Sequence, residues 1–187
     1  MKSRICFVLG EIFILLILSC LSCREVGTTH SKSGLKFSFP FGRSYSYTDI
    51  LVSRVIDGDT LMLESGQRVR LIGIDTPEMH DSDKLYRDSQ RTGQDIRTIK
   101  ELGRRAWRFT KDLTENKRVS LEFDVDKKDR YGRLLAYVYL KDGTFVNAEI
   151  VRQGYASLLT IPPNVKYADL FLRLYQEARE NKRGLWK

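Results

Sequence analysis

Apolar and polar positions alternate over three stretches in the first half of the chain, and alternation of this kind predicts β-strands. The predicted strands run from Ile50 to Ile56, from Leu61 to Leu63 and from Val69 to Ile74. Ser65-Gly66 is a turn signal between the second and third stretches, so we expect these two strands to form a hairpin.

Helical spacing of apolar residues begins after residue 100. Glu101 to Glu115 is predicted as a helix, and strands are predicted over Val119 to Val125 and Leu134 to Leu140. A short helix over Asn147 to Gln153 and an amphipathic final helix, which starts near Tyr167 and is ended by Gly184, complete the prediction. The apolar positions expected to face the core in the first helix are Leu102, Ala106, Phe109 and Leu113.

Composition indicates one folded domain with a leader. Hydrophobic residues make up 42% of the 187 residues, which is enough for a compact core. The net charge of +8 is typical of proteins that bind polyanions, although it is equally compatible with a solvated basic surface. All three cysteines lie in the first 23 residues, so the folded part has neither a disulfide nor the Cys and His clusters of a zinc site.

The N-terminal residues have the pattern of a targeting segment. Residues 1 to 23 have a basic start and a mostly apolar run that is short for a membrane span, which favours a bacterial lipoprotein signal over ordinary secretion or an uncleaved anchor. Cys20 is the preferred lipidation candidate because aliphatic Ile17 stands three residues before it, and Cys23 is the alternative. These features predict an extracytoplasmic protein anchored to a membrane, in the periplasm or at the cell surface.

Residues 24 to 48 are predicted to be a tether, because Ser, Thr and Gly are frequent and no helical period is present. Aromatic residues alternate with polar or small ones from Phe37 to Tyr47. This alternation indicates either a strand that packs on the domain or an aromatic stretch near a membrane surface.

Two acidic clusters stand on either side of the predicted hairpin. Asp57 and Asp59 precede it, Asp75 and Glu78 follow it, and Arg70 lies between the clusters. Folding of the hairpin can bring the two clusters together. Carboxylates gathered in one place with an arginine nearby suggest a hard cation and a phosphate group.

The same segments resemble a known family. In order and spacing, six stretches are similar to the motifs of the staphylococcal-nuclease (thermonuclease) family: IDGDT at 56–60, RL at 70–71, IDTPE at 74–78, DRYGRLLAY at 129–137, VRQGYA at 151–156 and KRGLW at 182–186. The resemblance covers roughly residues 50 to 187, and we place the predicted domain at 49–187. It implies an α+β fold in which three helices pack on a five-stranded OB-type barrel.

The resemblance also implies an activity. We expect a Ca²⁺-dependent endonuclease that cleaves DNA and RNA, preferably single-stranded or locally open, and leaves 3′-phosphates. The implied calcium ligands are Asp59, Asp75 and the backbone carbonyl of Thr76. Because these oxygens fall short of the six to eight that calcium prefers, water and substrate phosphate must supply the others. A monomer is the default expectation.

Five further residues receive expected roles from the same motifs. Arg70 and Arg133 correspond to an arginine pair that holds phosphate oxygens. Glu78 is the expected general base, but a carboxylate near a cation keeps a low pKa, so it could instead mainly position the attacking water. Asp57 is expected to support the metal site or its turn, and Tyr131 to contact the nucleotide.

The chain departs from the family pattern where tyrosines line the base pocket of the best-known member. Here the segment is Leu158 to Pro162, so we expect weak base preference. Residues 79 to 100 are predicted to be a loop, either a mobile lid that contacts nucleic acid or a solvated insertion, and their nearly balanced charges favour the insertion. The alternative functions are a non-catalytic nucleic-acid-binding OB-fold surface protein and a lipid-anchored protein that binds other proteins.

Overall fold

Seven strands and four α-helices lie within residues 47–187, the part of the chain that the computed structural model describes. The predicted lipoprotein signal, with Cys20 and Cys23, and residues 24–46 of the predicted tether lie outside it. No helix in the described part is long and apolar enough to cross a membrane. The elements in order are β1 (Ile50–Asp57), β2 (Thr60–Leu63), β3 (Arg68–Leu71), β4 (Gly73–Asp75), α1 (Asp83–Thr92), α2 (Ile96–Thr114), β5 (Arg118–Glu122), β6 (Leu134–Leu140), α3 (Val146–Arg152), β7 (Ser157–Leu159), α4 (Ala168–Glu180) and a 3-10 helix (Gly184–Trp186).

Five of the strands close into a barrel in the order β1-β2-β3-β6-β5, which confirms the predicted α+β class and the five-stranded barrel. Neighbouring strands are antiparallel except β3 and β6, which are parallel. The barrel closes where β1 pairs with β5, with Ile50 opposite Val119. Alternate side chains point inward and are almost wholly buried, as β-structure with one apolar face requires. They include Val52, Val55, Leu61, Leu63, Val69, Leu71, Val119, Leu134, Ala136 and Val138.

The third predicted strand is divided in two. The predicted stretch from Val69 to Ile74 is interrupted at Ile72, and the φ of 83° at Gly73, the first residue of β4, bends the chain there. As a result β4 leaves the barrel and pairs with β7, a strand that the sequence analysis did not predict. In this two-stranded sheet Asp75 lies opposite Ser157, whose hydroxyl donates to the Asp75 carbonyl at 3.1 Å.

Residues 79 to 100 are not a loop, and this prediction was wrong; the domain consequently has four α-helices rather than three. Helix α1 begins after Ser82, whose hydroxyl accepts a hydrogen bond from the N–H of Leu85, and it ends at Gly93 in the left-handed conformation. Helix α2 begins at Ile96 instead of Glu101. The dense charges in this stretch concealed α1 and the start of α2, where Leu85 and Ile99 are the buried apolar residues.

Helix α2 packs on the barrel through small residues. Of the four predicted core positions only Ala106 is fully buried, and the other three are half-buried. Small side chains let the helix lie close to the barrel, so that the Thr110 hydroxyl donates to the Gly58 carbonyl at 2.7 Å and the Trp107 indole N–H donates to the Val55 carbonyl at 3.0 Å. The buried line of the helix is Ile99, Gly103, Ala106, Thr110 and Thr114.

The segment VRQGYA at 151–156 packs against the segment KRGLW at 182–186. The N–H of Leu185 donates to the carbonyl of Gly154 at 2.9 Å, and Arg105 of α2 donates to the carbonyl of Gly184 at 2.7 Å. A Cβ at Gly154 would meet the Arg183 carbonyl, and one at Gly184 would meet the backbone of residues 153 and 154, so the contact has no room for any other residue type. The final helix ends at Glu180, before Gly184, which instead starts the 3-10 helix.

Candidate active site

A pocket of about 280 Å³ opens at the edge of the barrel beside the end of β4 and the start of α1. Four carboxylates and four cationic side chains line it, so it is suited to a charged ligand and its counter-ions. Six of the predicted site residues are among them, together with Arg68 and Lys84, for which the sequence analysis proposed no role in the site. The lining residues are Ile56, Asp57, Asp59, Thr60, Arg68, Arg70, Asp75, Glu78, Lys84 and Arg133.

Asp59 lies in the two-residue turn between β1 and β2, which is closed by the pairing of Asp57 with Thr60. Its side chain is buried. Oδ1 accepts the Thr60 hydroxyl at 3.0 Å, and Oδ2 accepts the backbone N–H and the hydroxyl of Thr76 at 3.0 and 3.1 Å. Burial alone raises the pKa of Asp59, but the charge of Arg70 and the Thr76 N–H outweigh burial and lower it. Asp59 is therefore an ionised buried carboxylate.

Arg70 joins the two acidic clusters. It lies in β3 opposite Thr60 of β2, so its guanidinium reaches the β1–β2 turn. Nη1 forms an ion pair with Oδ2 of Asp59, and Nη2 donates to Oδ1 of Asp75 at 3.0 Å. Burial favours the neutral guanidine, but the charges of Asp59 and Asp75 outweigh this and raise the pKa of Arg70. The guanidinium thus stays charged and is fixed by two carboxylates.

Lys84 lies at the centre of the second cluster. Its Nζ is 3.1 Å from Oδ1 of Asp75 and 3.0 Å from Oε1 of Glu78, and it donates to the Thr76 carbonyl at 3.0 Å. Burial lowers the pKa of Lys84, but Asp75 and Glu78 outweigh burial and raise it. Ser82 and Gly93 are start and stop signals that could have predicted α1. They could not have indicated that Lys84 in its first turn contacts these oxygens.

The Glu78 backbone rests directly on helix α2 at Gly103. A Cβ on Gly103 would lie 2.7 Å from the Glu78 carbonyl carbon and oxygen and from the Pro77 carbonyl oxygen. Glycine within a helix costs about 1 kcal/mol relative to alanine. That cost is offset here by close packing, which fixes the segment carrying Thr76 and Glu78 against the helix.

Arg133 reaches the pocket from a tight turn before β6. Oδ1 of Asp129 accepts the backbone N–H groups of Tyr131 and Arg133 at 2.9 and 3.0 Å, and Oδ2 accepts Nε of Arg133 at 2.6 Å. Tyr131 is 61% exposed, and its ring centroid lies 5.5 Å from the Arg133 guanidinium and 4.8 Å from that of Arg130. The turn therefore holds one arginine in the pocket and an exposed aromatic ring beside it.

Asp57 differs electrostatically from its neighbour Asp59. Its Oδ1 accepts the N–H of Gly58 at 2.8 Å, which completes the turn. Burial and the charge of Asp59 raise the pKa of Asp57 to about 7, although the Gly58 bond opposes the shift. Near neutral pH this carboxyl is partly protonated while Asp59 is ionised.

The oxygens predicted to bind calcium lie close to positively charged side chains. Asp75 and the Thr76 carbonyl both lie within 3.1 Å of one ammonium group, and Asp59 is tied to the same segment through Thr76. Within residues 47–187 no group of three or more His, Cys, Asp and Glu side chains is placed to hold a metal ion. The predicted set needs only two carboxylates and a carbonyl, and such oxygens fit calcium.

A closed five-stranded barrel with arginines and carboxylates in one pocket at its edge defines an OB-type protein with a strongly charged site. Residues 68–187 match the model of the family described as staphylococcal nuclease homologue. The chain belongs to this family.

Curated relatives agree with this assignment. The chain is 39% identical over 149 residues to a thermonuclease of Staphylococcus intermedius, covering 78% of this chain and 77% of the relative. It is 36% identical over 138 residues to a thermonuclease of Staphylococcus hyicus, covering 72% and 73%. It is 33% identical over 168 residues to endonuclease YncB of Bacillus subtilis (strain 168), covering 87% and 68%.

Proposed function

We propose that this protein is a Ca²⁺-dependent endonuclease that hydrolyses phosphodiester bonds in DNA and RNA and leaves 3′-phosphates. The observation that carries the proposal is the Asp59–Arg70–Asp75 bridge beside Glu78, in which a guanidinium and three carboxylates line one pocket. A guanidinium suits a phosphate and carboxylates suit a hard cation, which supports the proposal. The names of the relatives, thermonuclease and endonuclease, support the same activity. Single-stranded or locally open substrate is the preferred form.

The arginines bind and orient the scissile phosphate in this proposal. A guanidinium is planar and permanently charged, so it can contact two phosphate oxygens at once. Arg70 is held by two carboxylates and Arg133 by Asp129, which fixes both groups before substrate arrives. Preorganised donors of this kind stabilise charge that develops on the phosphoryl oxygens.

Glu78 orients the attacking water and accepts its proton. Its backbone is fixed by the contact with Gly103, so the carboxylate stands at a defined position in the pocket. Asp59, Asp75 and the Thr76 carbonyl are the proposed calcium ligands, and Asp57 supports the turn that carries Asp59. Bound calcium would supply positive charge that offsets the charge developing on the phosphate.

Base recognition is proposed to be weak. Leu159 is 40% exposed and Ile161 is 61% exposed, and both follow Ser157, the strand partner of Asp75. Exposed aliphatic side chains offer contact area without the aromatic stacking that holds a base. Tight, base-selective binding of a nucleoside 3′,5′-bisphosphate would contradict this expectation.

The proposed location is extracytoplasmic, with a membrane anchor at Cys20 or alternatively Cys23. Metabolic labelling with a radioactive fatty acid tests the anchor. Label that is lost in Cys20→Ser but kept in Cys23→Ser would support Cys20, and the reverse result would assign Cys23. Absence of label in the unaltered chain would overturn the anchor and leave ordinary secretion.

Cleavage assays test the proposed activity. The full-length chain, purified in mild detergent, is incubated with single-stranded and duplex DNA and with RNA, in calcium or in a chelator. We expect calcium-dependent cleavage that Glu78→Gln loses and that Glu101→Gln, an exposed change on α2, retains. Binding without cleavage under every metal condition would instead support a non-catalytic nucleic-acid-binding protein.

A further inference from the structure

The Lys84 ammonium contacts the oxygens that are assigned above to calcium. It lies within 3.1 Å of Oδ1 of Asp75, Oε1 of Glu78 and the Thr76 carbonyl oxygen. Helix α1 carries this side chain in its first turn, and the buried side chain of Leu85 holds the helix on the domain. The placement of Lys84 is therefore determined by a packed helix and three oxygen partners.

We propose that Lys84 is an internal counter-cation which a divalent metal ion must displace, so that this lysine sets the affinity of the site for metal. The proposal rests on the proposed function, since it takes Asp75 and Thr76 as metal ligands. Loading of the site is then an exchange, in which one ammonium group leaves and one metal ion enters.

Geometry and charge both support an exchange. Arg70 and Lys84 already share Oδ1 of Asp75, but only Lys84 also contacts the Thr76 carbonyl. A divalent ion bound to both oxygens would lie at short distance from the Lys84 ammonium group and would repel it strongly. Four cationic side chains already face the four carboxylates of the pocket. A divalent ion would add two positive charges, which favours release of one cationic side chain from the pocket.

Lys84 is the cation best able to leave. Its side chain is 29% exposed, whereas that of Arg70 is 13% exposed and is held by both Asp59 and Asp75. A lysine side chain has a flexible four-carbon stem and can swing its ammonium group into solvent. Displacement of Lys84 leaves the Asp59–Arg70–Asp75 bridge in place.

Calcium titration by calorimetry tests the proposal on the full-length chain in detergent. We expect Lys84→Gln to bind calcium at least about tenfold more tightly than the unaltered chain. Lys100→Gln is the matched control, because it removes a lysine that pairs with Asp81 outside the pocket, and its calcium affinity should not change. Lys84→Arg keeps the charge and should stay close to the unaltered chain.

A second readout follows the lysine itself. Acetylation of each lysine amine is quantified by mass spectrometry of peptides, with and without calcium. We expect calcium to increase the labelling of Lys84 and to leave that of Lys100 unchanged. This measurement does not depend on cleavage of nucleic acid.

The outcomes separate this proposal from the proposed function. Calcium binding of equal or lower affinity in Lys84→Gln, or unchanged Lys84 labelling, overturns the exchange while calcium dependence stands. A tenfold gain in Lys84→Arg as well would indicate altered packing instead of removed charge, and would also overturn it. If no variant and not even the unaltered chain binds calcium, the calcium dependence itself is wrong and the exchange is wrong with it.

Discussion

Thr76 donates both its backbone N–H and its hydroxyl to the same carboxylate oxygen of Asp59, at 3.0 and 3.1 Å. This double contact ties the acidic turn of the β1–β2 hairpin to the segment that follows β4. Both residues are buried, so no solvent replaces a lost bond. Thr76 therefore acts together with Arg70 in fixing the relative position of the two acidic clusters.

Thr76→Val should destabilise the protein, because it removes the hydroxyl bond to a buried carboxylate and keeps the shape of the side chain. We expect the free energy of unfolding, measured by urea denaturation, to fall by about 1.5–3 kcal/mol. Thr76→Ser retains the hydroxyl and should lose less. Equal stability of the valine and serine variants would show that the hydroxyl bond contributes nothing.

Arg70→Lys should lower the cleavage rate at saturating DNA at least about tenfold, equivalent to about 1.4 kcal/mol of transition-state stabilisation. Lysine keeps the positive charge but has a single side-chain nitrogen. It therefore cannot bridge Asp59 and Asp75 as Arg70 does, and it cannot contact two phosphate oxygens with a planar group. The control is Arg54→Lys, an exposed change on β1 that should have no effect. Comparable rates for the two variants would count against a role of Arg70 in the reaction.

Gly103→Ala should reduce activity although it favours the helical conformation. The added Cβ would overlap the carbonyl groups of Pro77 and Glu78, so the segment that carries Glu78 must move away from α2. We expect a loss of at least about tenfold in the cleavage rate, since small misplacement of a catalytic group is costly. Arg104→Ala, at the next and exposed position, should retain activity; full activity of Gly103→Ala would show that the contact is dispensable.

The stability of the fold should decrease in acid because of the hydrogen bonds made by Glu122, the last residue of β5. Partial burial raises the pKa of Glu122, but hydrogen bonds from Lys166, Tyr139 and Tyr167 outweigh it, and the net pKa is lowered. A carboxyl group with a lowered pKa stabilises the folded state above its ordinary pKa, here 4.5. The stabilisation by Glu122 begins to decrease as the pH falls below 4.5. It is lost once the pH has fallen through the lower pKa of Glu122 in the folded state.

The melting temperature measured between pH 7 and pH 3 tests this expectation. Glu122→Gln should lower the melting temperature at pH 7 and flatten its decrease in acid, because the variant cannot be protonated. Asp112→Asn, an exposed change on α2, is the control and should leave the profile unaltered. An unchanged acid profile in Glu122→Gln would exclude a contribution from this network.

Most of the strands could be predicted because they are short apolar stretches between turn signals, whereas closure of the barrel was expected only from the resemblance to the family. Leu61 and Leu63 point into the core from β2, and the turn at Gly66 sets the register of the hairpin. The family motifs added the residues that line the pocket.

Two other features could not be predicted, because they depend on tertiary packing. Lys84 belongs to a stretch of mixed charge that is typical of solvated surface, and only the docking of α1 turns its ammonium group toward Asp75. Asn147 is a polar residue in a predicted helix, yet it is fully buried and bonds to three backbone groups, at Ile72, Ala136 and Val138. No local pattern distinguishes such a residue from an exposed asparagine.

The contact between Gly154 and Gly184 makes two segments that are distant in sequence unfold together. The N–H of Leu185 donates to the Gly154 carbonyl, and the space that a Cβ would need at either glycine is occupied by backbone of the other segment. Neither the segment after α3 nor the segment after α4 can therefore open locally without removing the packing partner of the other. The two segments are expected to exchange their amide hydrogens as one cooperative unit.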